Sequence, residues 1–163
     1  MGEGLAGETR VAVDLEAAGF HRYSDRVCLL QVSGVDRHFV VDTLAVDPSP
    51  ELREPLESPS VTVILHGGDY DLRLLDRDLD LHPVNLFDTQ VAAALLGEPS
   101  LGLAALLEKY LDVRVSKKYQ RADWAQRPLP DEMLDYAASD TRHLHALSDL
   151  LAERLEAVGR RSW

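Results

Sequence analysis

The chain has almost no cysteine, no long apolar run and no surplus of positive charge, and each absence narrows what it can do. A single cysteine, Cys28, excludes a disulfide framework. Its setting in Val27-Cys28-Leu29-Leu30 reads as a buried thiol rather than a nucleophile or metal ligand. No apolar stretch approaches the length of a membrane span, and Met1-Gly2-Glu3-Gly4-Leu5 lacks the basic start and apolar core of a signal peptide. The expectation is a soluble cytoplasmic protein with no membrane partner. A formal net charge of −11 repels a phosphate backbone and argues against a protein that wraps duplexes. It leaves room for an enzyme that gathers acids around bound cations, because those acids swell the negative count. A phosphate loop is also missing. His66-Gly67-Gly68 is placed like a glycine-rich anion cradle, but the Lys-Ser/Thr of a nucleotide loop and the third glycine of a dinucleotide fingerprint are absent. That excludes a nucleotide-fuelled machine and a dehydrogenase.

What is present reads as one domain. At 163 residues, 45% hydrophobic and 28% charged, the chain has ordinary globular composition and enough length for a real core. No internal repeat, low-complexity tract or linker divides it. Residues 10–16, 27–33 and 37–42 read as strands and form a meander, with breaks at Gly19, Ser24-Asp25 and Gly34-Val35-Asp36. A short helix near 51–57 lies among prolines, and Val61-Thr62-Val63-Ile64-Leu65 suits a buried strand. Helices are expected over 69–79, from a cap at Asp88 through Leu96, over 101–111 from a cap at Ser100, and in one long run from Pro130 to about Val158 that Gly159 stops. Strands first and helices after indicate an α/β fold, a mixed β-sheet flanked by α-helices.

The chemistry lies in the acids. Asp14-Leu15-Glu16 ends an apolar run, and a strand's alternation puts both carboxylates on one face. Two such groups repel unless a cation sits between them, and hard divalent ions take carboxylate oxygens. Such a pair is normally exposed only at a strand's edge or tip. Asp71 falls just inside the helix after His66-Gly67-Gly68, where a helix N-terminus favours a negative charge; Asp69 competes with it as an ordinary cap. Tyr136 and Asp140 are one turn apart on one helical face. One stretch is basic: Arg114, Lys117, Lys118, Arg121 and Arg127 stand against Asp123, with Tyr119 and Trp124 interleaved. These are the ingredients of a single-strand platform, or of a solvated loop whose Trp124 packs inward.

The ordered series Val11-Ala12-Val13-Asp14-Leu15-Glu16, Val27 to Ser33, His66-Gly67-Gly68-Asp69-Tyr70-Asp71-Leu72, Phe87-Asp88-Thr89, Ser116 to Trp124 with Arg127-Pro128-Leu129, and Tyr136-Ala137-Ala138-Ser139-Asp140 resembles the tyrosine-bearing branch of the DEDD 3′-to-5′ exonucleases. It is most similar to the ribonuclease D family, including the exonuclease domain of the nuclear exosome's catalytic subunit. The resemblance implies a ribonuclease H-like exonuclease fold and a two-metal phosphodiester hydrolysis. On that likeness Asp14, Glu16, Asp71 and Asp140 hold two divalent ions, Mg2+ or Mn2+, and Tyr136 orients the attacking water and assists its deprotonation, positioning being the firmer half of that role because a free phenol titrates near ~10. Asp88 caps and orients. His66, Lys117, Lys118, Gln120 and Arg121 are the expected substrate contacts.

The implied activity is removal of nucleoside 5′-monophosphates from the 3′ end of single-stranded RNA. A DNA-directed or dinucleotide-clearing exonuclease and an inactive nucleic-acid-binding module stand as alternatives. Larger members carry a helical nucleic-acid-binding module after this domain. Residues 1–163 are expected to form the exonuclease domain alone, without that accessory domain, which favours short oligonucleotides or assembly into a homo-oligomer.

Overall fold

In the computed structural model, residues 2–19, 23 and 25–161 are described; Ser24, part of the expected break before the second strand, lies outside them. The meander is present: β1 (Arg10–Ala17), β2 (Val27–Ser33) and β3 (His38–Asp42) pair antiparallel in sequence. On its other side β1 pairs parallel with β4 (Thr62–Leu65), which pairs parallel with β5 (Leu86–Asp88). The five-stranded mixed sheet therefore runs β3-β2-β1-β4-β5, with β1 in the middle.

Alternation along β1 sends its side chains to two unlike faces. Val11, Val13 and Leu15, with Leu30, Val32, Val63 and Leu65, pack on Leu52 and Leu56 of α2 (Ser49–Glu57) and Leu74 and Leu75 of α3 (Asp69–Leu79). The other face carries Ala12, Asp14 and Glu16. There Ala12 and Ile64 pack on α4 (Thr89–Leu95), α5 (Leu103–Leu111) and α7 (Leu144–Ala157), while Leu29 packs with Met133, Tyr136 and Ala137 of α6 (Asp131–Arg142) and with Trp124. The one-turn helix α1 (Gly2–Leu5) leads into β1 and sets Leu5 into the first of these clusters. No helix among the described residues is long and apolar enough to cross a membrane.

Four details depart from expectation. The long C-terminal helix is two, α6 and α7, separated at His143. No glycine or proline marks the break; α6 lies across β1, β2 and β3 while α7 lies against β1, β4, α4 and α5, so the chain must turn between two sets of partners. Strand β5 is three residues long, too short for an alternation signal. Ser100 does not cap α5, which begins at Leu103 after Gly102. Nor is Asp69 a cap: α3 follows Gly68, and the Asp69 carboxylate instead pairs with Arg73 one turn on.

Candidate active site

β1 and β4 pair only from Arg10 to Ala12, so Asp14 and Glu16 run past the end of their parallel neighbour while β2 still holds their other side. A central strand thus behaves locally as an edge, and the two acids project into a gap. A bulge between Glu16 and Ala17 ends the regular register just beyond them, the kind of irregularity that re-aims side chains beside working sites. α6 crosses above and brings Asp140 down to the pair. Asp14, Glu16 and Asp140 each offer a carboxylate oxygen, and these oxygens lie within 4.8 Å of one another. It is the one such group among the described residues.

Asp71 comes from a different element. It lies in the first turn of α3, outside that group of three, yet near enough that its charge acts on both strand acids. Burial, then the charges of Asp71, Asp140 and Glu16, hold the Asp14 carboxyl well above the usual carboxylate range. Glu16 is pushed up to about 9 by burial and by Asp140 and Asp71. Burial lifts Asp140 to about 7, and burial with the charge of Asp88 lifts Asp71 to about 6. Half-buried carboxylates this close cannot all ionise without a cation, and an all-oxygen donor set suits a hard divalent ion such as Mg2+ or Mn2+. The residues present therefore fit a metal centre.

The turn that places Asp71 is pinned by Asp88. Gly67 N donates to Asp88 Oδ1 at 3.0 Å and Gly68 N to Oδ2 at 2.9 Å, while Gln90 N and Val91 N donate to Oδ1 at the start of α4. Burial pushes the Asp88 carboxyl up, but these four donors outweigh it and hold the group below its ordinary value. Gly67 needs its left-handed backbone, φ +67°, to aim its N–H this way. The glycine pair that looks like an anion cradle therefore spends its donors on a carboxylate of its own chain.

Tyr136 lies in the same cleft, a cavity of about 230 Å³ lined by Asp14, Leu15, Glu16, Leu103, Gln120, Tyr136 and Asp140. It is only 9% exposed, and its ring is fixed by Tyr119, edge-on at 5.8 Å between centroids, and by Trp124 at 6.1 Å. Burial and then the charges of Asp140, Glu16 and Asp14 raise its phenol above the ordinary value, so it stays protonated at neutral pH.

The expected substrate contacts separate. Gln120 reaches the cleft wall. His66 does not: its Nδ1 is 2.9 Å from Thr89 Oγ1, whose hydroxyl donates to Leu65 O, and burial lowers its pKa. Lys118 Nζ is 2.8 Å from Glu132, which also accepts from Tyr119. Lys117 and Arg121 are exposed and do not line the cleft. Arg127 forms a two-pronged pair with Asp42 and donates to the carbonyls of Trp124, Gln126 and Cys28. Trp124 is 1% exposed. The aromatics of the basic stretch thus brace Tyr136 instead of offering stacking faces, and two of its cations fasten the loop down.

Sequence reasoning missed two residues. Leu103 lines the cleft, but its place in a leucine stripe marks it only as core. Gln31 is fully buried and directly opposite Asp14 in the β1/β2 register; a glutamine inside the run Cys28-Leu29-Leu30-Gln31-Val32 is the signal that could have found it.

Comparison with known proteins agrees with this geometry. Residues 2–156 match the family model described as 3′-5′ exonuclease. The chain is 41% identical over 156 residues to the exosome complex exonuclease RRP6 of Saccharomyces cerevisiae, covering 95% of this chain and 21% of that protein. The catalytic core of RRP6 from Trypanosoma brucei superimposes with a TM-score of 0.91 at 38% identity, over 98% of this chain and 45% of that one. Escherichia coli RNase D, described as an exoribonuclease involved in structured RNA processing, gives 0.90 at 31% identity, over 97% and 42%. The chain spans 17–21% of the length of the curated relatives it matches.

Proposed function

The chain belongs to the 3′-5′ exonuclease family that includes RRP6 and ribonuclease D, and from that premise we propose that it is a metal-dependent exoribonuclease. It removes nucleoside 5′-monophosphates from the 3′ end of single-stranded RNA. The observation that carries this reading is the convergence of carboxylate oxygens of Asp14, Glu16 and Asp140 within 4.8 Å of one another, with the charge of Asp71 acting on both strand acids and Tyr136 in the same cleft.

Two divalent ions held by Asp14, Glu16, Asp71 and Asp140 would stabilise the attacking and leaving oxygens of an in-line displacement. The protein's own groups do the rest. Tyr136, protonated and braced by Tyr119 and Trp124, donates its phenolic hydrogen bond to orient a water or phosphate oxygen. Its raised pKa makes it a poor proton acceptor at neutral pH, so positioning is its part. Gln120 and Leu103 meet the terminal nucleotide, the first through an amide and the second through an apolar flank. A cleft of about 230 Å³ suits a frayed strand end, and a duplex end must open before it enters.

A time course on 5′-labelled single-stranded RNA and matched DNA, with Mg2+, Mn2+ or EDTA, tests the proposal. A metal-dependent ladder that shortens from the 3′ end is expected, faster on RNA. Equal rates on DNA would move the reading to a DNA-directed exonuclease. Silence with every metal would leave a binding module.

A further inference from the structure

Gln31 is a buried amide with no hydrogen-bond partner for either its Oε1 or its Nε2, at 0% exposure. A polar group in that state costs on the order of 1–3 kcal/mol, and β2 otherwise fills its buried positions with Val27, Cys28, Leu29, Leu30, Val32 and Ser33. An apolar side chain here would be cheaper, so the amide calls for a reason.

Its surroundings supply one. Leu29 and Ser33, the same-face neighbours of Gln31 on β2, both meet α6: Leu29 shares a cluster with Met133 and Ala137, and Ser33 Oγ is 2.7 Å from Thr141 Oγ1. Met133, Ala137 and Thr141 recur one turn apart, so Gln31 sits under the middle of α6, level with the small Ala137. Across the sheet it has Val40 on one side and Asp14 on the other. Side chains directly opposed on an antiparallel pair have Cβ atoms about 4.5–5.5 Å apart, within reach of an extended amide. The NH2 group needs an acceptor, and the acceptor facing it in register is the Asp14 carboxylate. Trp124 Nε1 also lacks a partner among the described residues, but it is a donor and cannot serve the NH2 group.

We propose that Gln31 is a positioning residue, whose amide donates to the Asp14 carboxylate and sets its orientation when the cleft takes up divalent ions. The inference rests on the metal-binding reading above. Without metal the amide lacks a partner and the protein bears that cost; with metal the bond forms, and the relief is added to metal affinity. Gln31 touches neither ion nor substrate and acts through Asp14.

The test uses the whole chain with Gln31→Met, which conserves volume, and Gln31→Leu. Melting is followed in EDTA and across a Mn2+ titration, and Mn2+ affinity is measured by calorimetry. The variants should melt at or above the wild-type temperature in EDTA while binding Mn2+ about 10-fold more weakly or worse. Wild-type Mn2+ affinity in both variants would overturn the proposal. So would a lower melting temperature of both in EDTA, which makes the amide a core contact. If the wild type itself gains no stability from Mn2+ or Mg2+, the metal reading of the cleft fails first, and that result is separate from the other two.

Discussion

The two faces of the central sheet are made by the same strands and differ in almost every physical respect. Toward α2 and α3 the face is Val11, Val13, Leu15, Leu30 and Val32 against leucines, closed and apolar. Toward α6 the same strands present Asp14, Glu16, Gln31 and Ser33, with carboxyls whose proton affinity burial raises and a Gln31 amide left without a partner. One face stores stability and the other spends it. A protein stable by a small margin can keep four crowded acids only if something nearby offsets them, and the alternation of a β-strand puts the offset one residue away from the cost.

The sharpest break of this comparison is a substitution on each face. Asp14→Ala or Asp140→Ala should lower hydrolysis by at least about 10³-fold yet leave the melting temperature in EDTA equal or higher, since a repelling carboxylate is gone. Near-normal turnover by either variant would remove that acid from the site. Tyr136→Phe ranks next: kcat should drop by roughly 10²-fold while strand affinity, measured without turnover in Ca2+, stays close to that of the wild type. Equal losses in both would make Tyr136 a substrate contact. On the apolar face Leu30→Ala should cost about 2–5 kcal/mol of stability in denaturant unfolding, with activity per folded molecule nearly unchanged.

The smallest effect is one of pH. Asp71, Asp140 and Glu16 titrate at about 6, 7 and 9 in the folded protein, above the ordinary carboxylate value near ~4. Between those limits the folded chain holds protons that the unfolded chain has released, so stability without metal falls as pH rises from about 4 to about 9. Metal binding needs the deprotonated groups, so Mg2+ affinity should rise across the same interval. Melting curves in EDTA and in Mg2+ over that range should diverge; parallel curves would mean the acids do not share a site.

Much of the working face was legible in the sequence because it depends on local rules. Alternation announces β1, helical spacing pairs Tyr136 with Asp140, and Asp88 has the composition and position of a cap. What escaped depends on partners far along the chain. Nothing near Lys118 says that Glu132 will take it, and nothing near Arg127 says that Asp42 will. The break at His143 follows from two helices needing different surfaces, and the role of Gln31 follows from a register that only the folded sheet defines.

The carboxylate of Asp88 has one more consequence, which belongs to motion. Four amides, those of Gly67, Gly68, Gln90 and Val91, hang on that single side chain. They tie the start of α3 to the start of α4. In hydrogen exchange these amides should open as one event and share a single protection factor. Because their donors hold the Asp88 proton affinity low, that joint should persist into acid that neutralises ordinary surface carboxylates, keeping Asp71 in place after weaker ties have let go.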